Sequence, residues 1–365
     1  MDPFGAAWLA TTLTLATPLI FAAVGELISE RAGVINIGLE GMMLTGAFFS
    51  FLVAWATGSF WLGVGAGIVA GMLLAAIMAV LSLKARADQI VVGVGLNILA
   101  LGLTSFVFEQ IFLSRPQAVL PVPERVAVPG LSAIPGIGQA VFRQPVLVYV
   151  AWFTVLAAWW VLHRTTWGLA IRSAGETPSA ADTAGIRVDR VRWIGILVAG
   201  CLGGLGGAVL SIGQVGLFVQ QISAGQGYIA LAAVIFGGWR PLGVLGACLF
   251  FAGTNALQLQ LQARNSVPAA VWAAVALVAV VYAVWRLRRP ETRSWGTAAS
   301  AGLVIALGAG LTLARPSVSL PSELWLALPY VITLLALAGL VGRVRMPRDL
   351  GIPYDIPYDR EAHKV

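Results

Sequence analysis

Along this chain the apolar residues come in runs near 20 residues long, separated by short polar segments that hold most of the charge. The runs fall at residues 8–25, 34–56, 60–83, 90–113, 146–163, 193–214, 226–238, 242–261, 267–285, 298–314 and 324–341. A helix of about 20 apolar residues crosses a hydrocarbon core of about 30 Å. The run 226–238 is too short for that and reads as a half-helix or re-entrant piece packed inside the protein. The pattern predicts an all-α, polytopic helical membrane protein of about 10–11 transmembrane or re-entrant helices. The whole of 1–365 is then one transmembrane domain.

Composition agrees. The 365 residues are 59% hydrophobic and 11% charged, with mean hydropathy +0.87, against about 25% charged in a soluble domain. The formal charge of +7 would invite a nucleic-acid partner in a soluble protein. Here the basic residues sit in short loops, where they set topology instead, so no nucleic acid is expected. Threaded from an outside N-terminus, only Arg115, Arg125, Arg143, Arg264 and Arg315 of the 23 Lys and Arg fall outside. The positive-inside rule therefore predicts an N-out, C-in arrangement. No basic residue precedes the first run, which argues against a cleavable signal peptide.

Three polar segments stand apart from the runs. Residues 114–145 are rich in Pro and Gly and predict a structured or extended external loop. Residues 342–365 form a cytoplasmic tail. Residues 164–192 form the longest internal loop, with a cytoplasmic loop at 172–192 as its informative part. In it Thr177 suits an N-cap and Pro178 the first helical position, while Gly185 fits the left-handed position that ends a helix. About two turns lie between them, too few to be stable alone. A solvated connector is one reading. A capped helix of Ala and Ser offers a close-packing surface, which favours docking onto a partner.

Candidate chemistry is sparse. The only lysines, Lys84 and Lys364, do not follow a glycine, so the chain has no phosphate-binding P-loop. Gly203–Gly207 lies inside an apolar run, where Gly200/Gly204 and Gly203/Gly207 predict close helix packing rather than a dinucleotide loop. Cys201 and Cys248 lie in apolar runs and read as small hydrophobes. His163 and His363 have no partners at ligand spacing, so no metal site and no catalytic constellation is expected.

The informative anomaly is Glu30-Arg-Ala-Gly-Val-Ile-Asn-Ile-Gly-Leu-Glu-Gly-Met-Met43, which puts Asn36, Glu40 and several glycines into a run that should lie in lipid. A charge at the bilayer centre costs at least about 2.5–3.5 kcal/mol on insertion scales, so Glu40 should face the interior or water. Four apart, Asn36 and Glu40 would share one helical face. Glu40 could cap backbone N–H groups freed by a glycine break, line the translocation path, or carry a proton. The structural role ranks first, pathway lining second, and proton coupling last. Asn97, Gln214, Asn255 and Gln258 are further polar groups in the runs, each open to a purely interhelical reading or a place on the path. Tryptophans near run ends, Trp239 among them, read as interfacial anchors.

Four stretches carry a resemblance. Glu176, Ala180, Ala181, Asp182 and Gly185 lie in a loop similar to the coupling-helix loop of ABC importer permeases. Gly33–Met42, Gln89–Ile98 and Ala224–Pro241 resemble, in the same order, motifs of the simple-sugar and nucleoside permeases within the branched-chain amino acid/ribose permease superfamily. The likeness covers roughly 20–262 and 322–361; residues 263–318 look like an inserted helical hairpin. The resemblance implies a multi-pass permease of the bacterial plasma (inner) membrane that binds no cofactor. ATP and Mg would sit on a separate ATPase subunit. Further partners implied are a second permease, identical or homologous, an extracytoplasmic substrate-binding lipoprotein, and membrane lipid. It implies no covalent chemistry, but ATP-driven alternating access for nucleosides or simple sugars. Branched-chain amino acids are the alternative substrate. A stand-alone secondary transporter and a membrane-embedded enzyme are the competing classes.

Overall fold

The apolar runs before residue 264 become helices that differ sharply in how much of them is buried. The structure, a computed structural model, describes residues 3–113, 116–134, 137–264, 325, 346–352 and 354. In chain order the helices are α1 (Pro3–Arg31), α2 (Leu39–Thr57), α3 (Phe60–Ala79) and α4 (Gln89–Phe112). After a strand β1 (Arg125–Ala127) come α5 (Gly138–Phe142), β2 (Arg143–Pro145), α6 (Val146–Arg164), α7 (Thr166–Glu176) and α8 (Pro178–Thr183). The last are α9 (Val188–Ala208), α10 (Gln226–Phe236) and α11 (Pro241–Arg264). Helices α3 and α9 end in wider π-helical turns, Val80–Lys84 and Val209–Val215.

Among the described residues, seven helices are long and apolar enough to cross a membrane: α1, α2, α3, α4, α6, α9 and α11. They match the long apolar runs before residue 264 one for one. At 11 residues, α10 spans only about 16 Å, as expected of the short run. The fold is nearly all-α. The segment between α4 and α6 adds an antiparallel two-stranded ribbon in the register Arg125↔Pro145, Val126↔Gln144, Ala127↔Arg143. The runs 267–285, 298–314 and 324–341, the hairpin 263–318 and most of the tail lie outside the described residues, Trp325, residues 346–352 and Tyr354 excepted.

Helices α1, α2 and α9 form the centre. Of the most apolar stretch of α9, 72% is buried, against 22% in α4. The centre closes through glycine, as the small-residue spacing predicted. A Cβ on Gly46 of α2 would lie 2.5 Å from the Gly204 backbone, one on Gly71 of α3 2.3 Å from the Gly200 carbonyl, and one on Gly207 2.0 Å from the Met43 carbonyl. Such approaches let backbone pack on backbone where lipid supplies no hydrophobic drive between helices.

The anomalous stretch is a break. Helix α1 continues to Arg31, and residues 32–38 fold back before α2 starts at Leu39. Asn36 therefore precedes α2, and it does not share a helical face with Glu40. The reversal turns on Gly33 at φ +95°, a conformation that glycine adopts without strain. Space forbids a side chain there too: a Cβ would lie 3.0 Å from Arg192 Nη2.

Candidate functional site

A helix that starts inside the bundle exposes N–H groups with no partner of their own. Helix α10 is such a helix, reached through a tight reversal in which Gln221, Ala224 and Gly225 all have positive φ. Its N-cap residue, Gly225, offers no side chain. Glu40 of α2 supplies what is missing. Its Oε1 accepts from Ser223 Oγ at 2.6 Å and from the Gly225 N–H at 2.8 Å, and its Oε2 accepts from the Gly227 N–H at 2.7 Å. A carboxylate at a helix N-terminus also meets the positive end of the helix dipole. The packing leaves no slack, since a Cβ on Gly227 would lie 2.6 Å from the Glu40 backbone.

Asn97 of α4 does the same for α2. Its Oδ1 accepts from the Gly41 N–H at 2.8 Å, while its Nδ2 donates to the Ile37 carbonyl at 3.0 Å and to Tyr228 Oη at 2.9 Å. One amide thus joins the break, the first turn of α2, and α10. Gln89 accepts from the Ile35 N–H, and Glu26 Oε1 from the Asn36 N–H at 3.0 Å. The backbone groups opened by the break are met largely by side chains from α1 and α4. The Asn36 amide is fully buried, donates to Met42 Sδ at 3.4 Å, and its Oδ1 has no partner among the described residues.

At the end of the bundle where the break lies, Arg31 donates from Nε and Nη2 to the Trp239 carbonyl. Glu30 accepts from Trp239 Nε1. Trp239 is 5% exposed and sits at φ +53°. It locks the end of α10 against α1 and is not the interfacial anchor its position in the run suggested. Arg31 also faces Glu176 at 3.7 Å, where the carboxylate is half-exposed and the pair has little energetic weight.

Helix α8 is the short helix anticipated between Thr177 and Gly185. Pro178 holds its first position, and Gly185 ends it at φ +85°. The Ile186 N–H bonds the Ala181 carbonyl and the Gly185 N–H the Asp182 carbonyl, which is how a left-handed residue closes a helix C-terminus. Its two faces differ. Pro178 and Ala181 are buried against the protein; Ser179, Ala180, Thr183, Ala184 and Gly185 are exposed, and nothing lies within 4 Å of a Cβ built on Gly185. Glu176 is exposed beside them, and Asp182 accepts from Tyr354 Oη at 3.1 Å.

Of the polar residues singled out from the sequence, the structure therefore brings Asn36, Glu40 and Asn97 together around the break. Gln214 lies apart, donating to the Thr14 carbonyl in the first half of α1 at 2.7 Å. Asn255 is half-buried on α11, and Gln258 bonds Gln262 of its own helix. Sequence reasoning missed Glu26 and gave Glu30 no role beyond opening the anomalous stretch, because it ended the first run before them; they are 0% and 2% exposed. The signal was their spacing: one turn apart, they continue the α1 face that closes over the break. Ser223 and Tyr228 were missed as well, because the reversal that delivers them is tertiary.

Seven helices long and apolar enough to span a membrane among the described residues, packed on a glycine-rich centre around a part-length helix, define a polytopic helical membrane protein. The chain belongs to the family described as branched-chain amino acid transport system / permease component, which it matches over residues 8–289. It is a permease component, a transport subunit rather than an enzyme, and a multi-pass protein of the bacterial inner membrane. Among curated relatives, it is 36% identical over 354 residues to the guanosine ABC transporter permease protein NupQ of Bacillus subtilis strain 168, covering 94% of each chain. It is 42% identical over 252 residues to the nucleoside ABC transporter permease protein NupC of Lactococcus lactis subsp. cremoris, covering 66% of this chain and 78% of that one. It is 40% identical over 266 residues to the putative glucose ABC transporter permease protein TsgC13 of Haloferax volcanii, covering 72% and 80%. No solved structure matches the chain.

Proposed function

We propose that this chain is the membrane subunit of an ABC importer for nucleosides or simple sugars. The observation that carries the reading is the nearly full-length similarity to a permease named for guanosine, supported by relatives named for nucleosides and glucose. In this reading the N-terminus lies outside, and the end of the bundle with α8, Arg31 and Arg192 faces the cytoplasm, in line with the positive-inside rule.

The exposed face of α8 is the docking face. Ala180 and Gly185 present a flat, small surface to a cleft on an ABC ATPase subunit, which carries ATP and Mg. Glu176 flanks that surface. Ala181 is buried behind it and supports it from within. A second permease, identical or homologous, completes the pathway, and a lipoprotein outside delivers substrate. Glu40 and Asn97 hold the N-termini of α10 and α2, so these helices move as one wall when the ATPase closes.

Two experiments test the reading. The complete complex, reconstituted in liposomes, should take up guanosine or glucose only with ATP inside; uptake of leucine alone would move the assignment to branched-chain amino acids. Ala180→Glu should abolish ATPase co-purification while the permease still inserts, and normal co-purification would remove α8 from the interface.

A further inference from the structure

The short helix α8 has little of its own to hold it. Six residues cannot maintain a helix unaided, and only Pro178 and Ala181 are buried beneath it. A segment far along the chain supplies the rest. Residues 346–352 and Tyr354 cross the same end of the bundle and bond four separate parts of it. The Asp349 N–H donates to the Gly175 carbonyl at the end of α7 at 2.9 Å, and the Gly351 N–H to the Gly33 carbonyl in the break at 3.1 Å. Arg192 Nη1 of α9 donates to the Ile352 carbonyl at 2.8 Å, and Tyr354 Oη to Asp182 Oδ2 of α8 at 3.1 Å.

Each contact has a physical reason. Arg192 is 1% exposed, and its Nε and Nη2 have no partner among the described residues. The Ile352 carbonyl is thus its one hydrogen-bond acceptor among the described residues, while the Asp189 and Asp349 carboxylates lie near enough to act on its charge. Gly351 sits at φ +77°, where a side chain is strained, and a Cβ there would lie 2.8 Å from Ile35 in the break. Leu350 and Tyr354 pack their apolar parts against the main core.

We propose that this C-terminal segment is a brace that ties α8 to the α1–α2 break, with Tyr354 as the positioning residue. The contacts form one line. A displacement of α8 reaches Tyr354 through Asp182, passes along 349–352 to Gly33, and enters the break that carries Asn36 and leads to Glu40. From Glu40 it reaches α10, which is capped by that carboxylate. Rigid hydrogen-bonded links of this kind are what carry coupling between distant sites. The proposal rests on α8 being the element that meets the ATPase.

The test is the stoichiometry of the complete reconstituted complex: guanosine imported per ATP hydrolysed. Tyr354→Phe removes one hydroxyl from a partly exposed ring. It should leave ATPase co-purification and basal hydrolysis at wild-type levels and lower the import-to-hydrolysis ratio about fivefold, the weight of one hydrogen bond. Asp182→Ala should lower the ratio as much, and the double variant no further, since the two act through one bond. A substrate-free arm reads the same link. A spin label at Gln221→Cys, beside the start of α10, should change accessibility when ATP binds in the parent and lose that change with Tyr354→Phe. Wild-type coupling and an unchanged label response in Tyr354→Phe, or additive losses in the double variant, overturn the brace. Failure of the underlying docking reading shows separately, as Ala180→Glu that keeps its ATPase.

Discussion

Replacing Glu40 by Gln exchanges one carboxylate oxygen for an NH2 and should unfasten α10. The carboxylate accepts three hydrogen bonds, from Ser223 Oγ, Gly225 N–H and Gly227 N–H. Bonds to a charged acceptor contribute about 1.5–3 kcal/mol each and neutral ones about 1 kcal/mol. A glutamine can turn its carbonyl toward Ser223 and Gly225 and keep both at neutral strength. Its NH2 then faces the Gly227 N–H, donor against donor, and that group is left unpaired. Weakening two bonds and losing a third should cost roughly 2–4 kcal/mol, because such terms do not add fully. The assay is the monodisperse yield and thermal unfolding of the purified permease in detergent, alongside uptake per assembled complex. The expected result is a marked fall in yield and unfolding temperature, with uptake per assembled complex much less affected. Full yield and an unchanged unfolding temperature with uptake lost would refute the capping argument and put Glu40 on the substrate path.

Other consequences follow from the same geometry. Asn97→Leu strands the Gly41 N–H and the Ile37 carbonyl and should cost about 2 kcal/mol, read by thermal unfolding; a neutral result would mean water replaces the amide. Gly204→Leu fills space that the Gly67 carbonyl occupies at 2.2 Å from a Cβ, so no folded permease should be recovered from membranes. Single cysteines at Ser179 and Ser59, in a background with Cys201 and Cys248 replaced, should be labelled from opposite sides by an impermeant maleimide. Labelling from the same side would contradict the orientation.

The spanning helices were legible because hydrophobic run length is a local property that lipid enforces directly. So were the ends of α8, where Pro178 and Gly185 act through their own backbone geometry. Much of the polar junction was not. The sequence exposes the cost of Glu40 in lipid, yet the donors that satisfy it arrive from 183 to 187 residues away. Asn36 was assigned to a helix because its neighbours are apolar; the reversal at Gly33 depends on Arg192 and Gly175 packed behind it. Trp239 was misread for a related reason, since run-end tryptophans usually face the interface, and only the chain reversal at α10 turns this one onto Glu30. Ala181 and Ala180 are indistinguishable in sequence, and the way α8 lies on the bundle buries one and exposes the other.

The central claim is that this chain forms an ATP-driven import path and does no chemistry of its own. The most direct measurement is uptake of radiolabelled guanosine, glucose and leucine into liposomes carrying the permease with its ATPase, second permease and binding protein. Uptake of a nucleoside or sugar should require ATP and stop when the ATPase is omitted. Uptake by this chain alone, driven by a proton gradient without ATP, would contradict that claim.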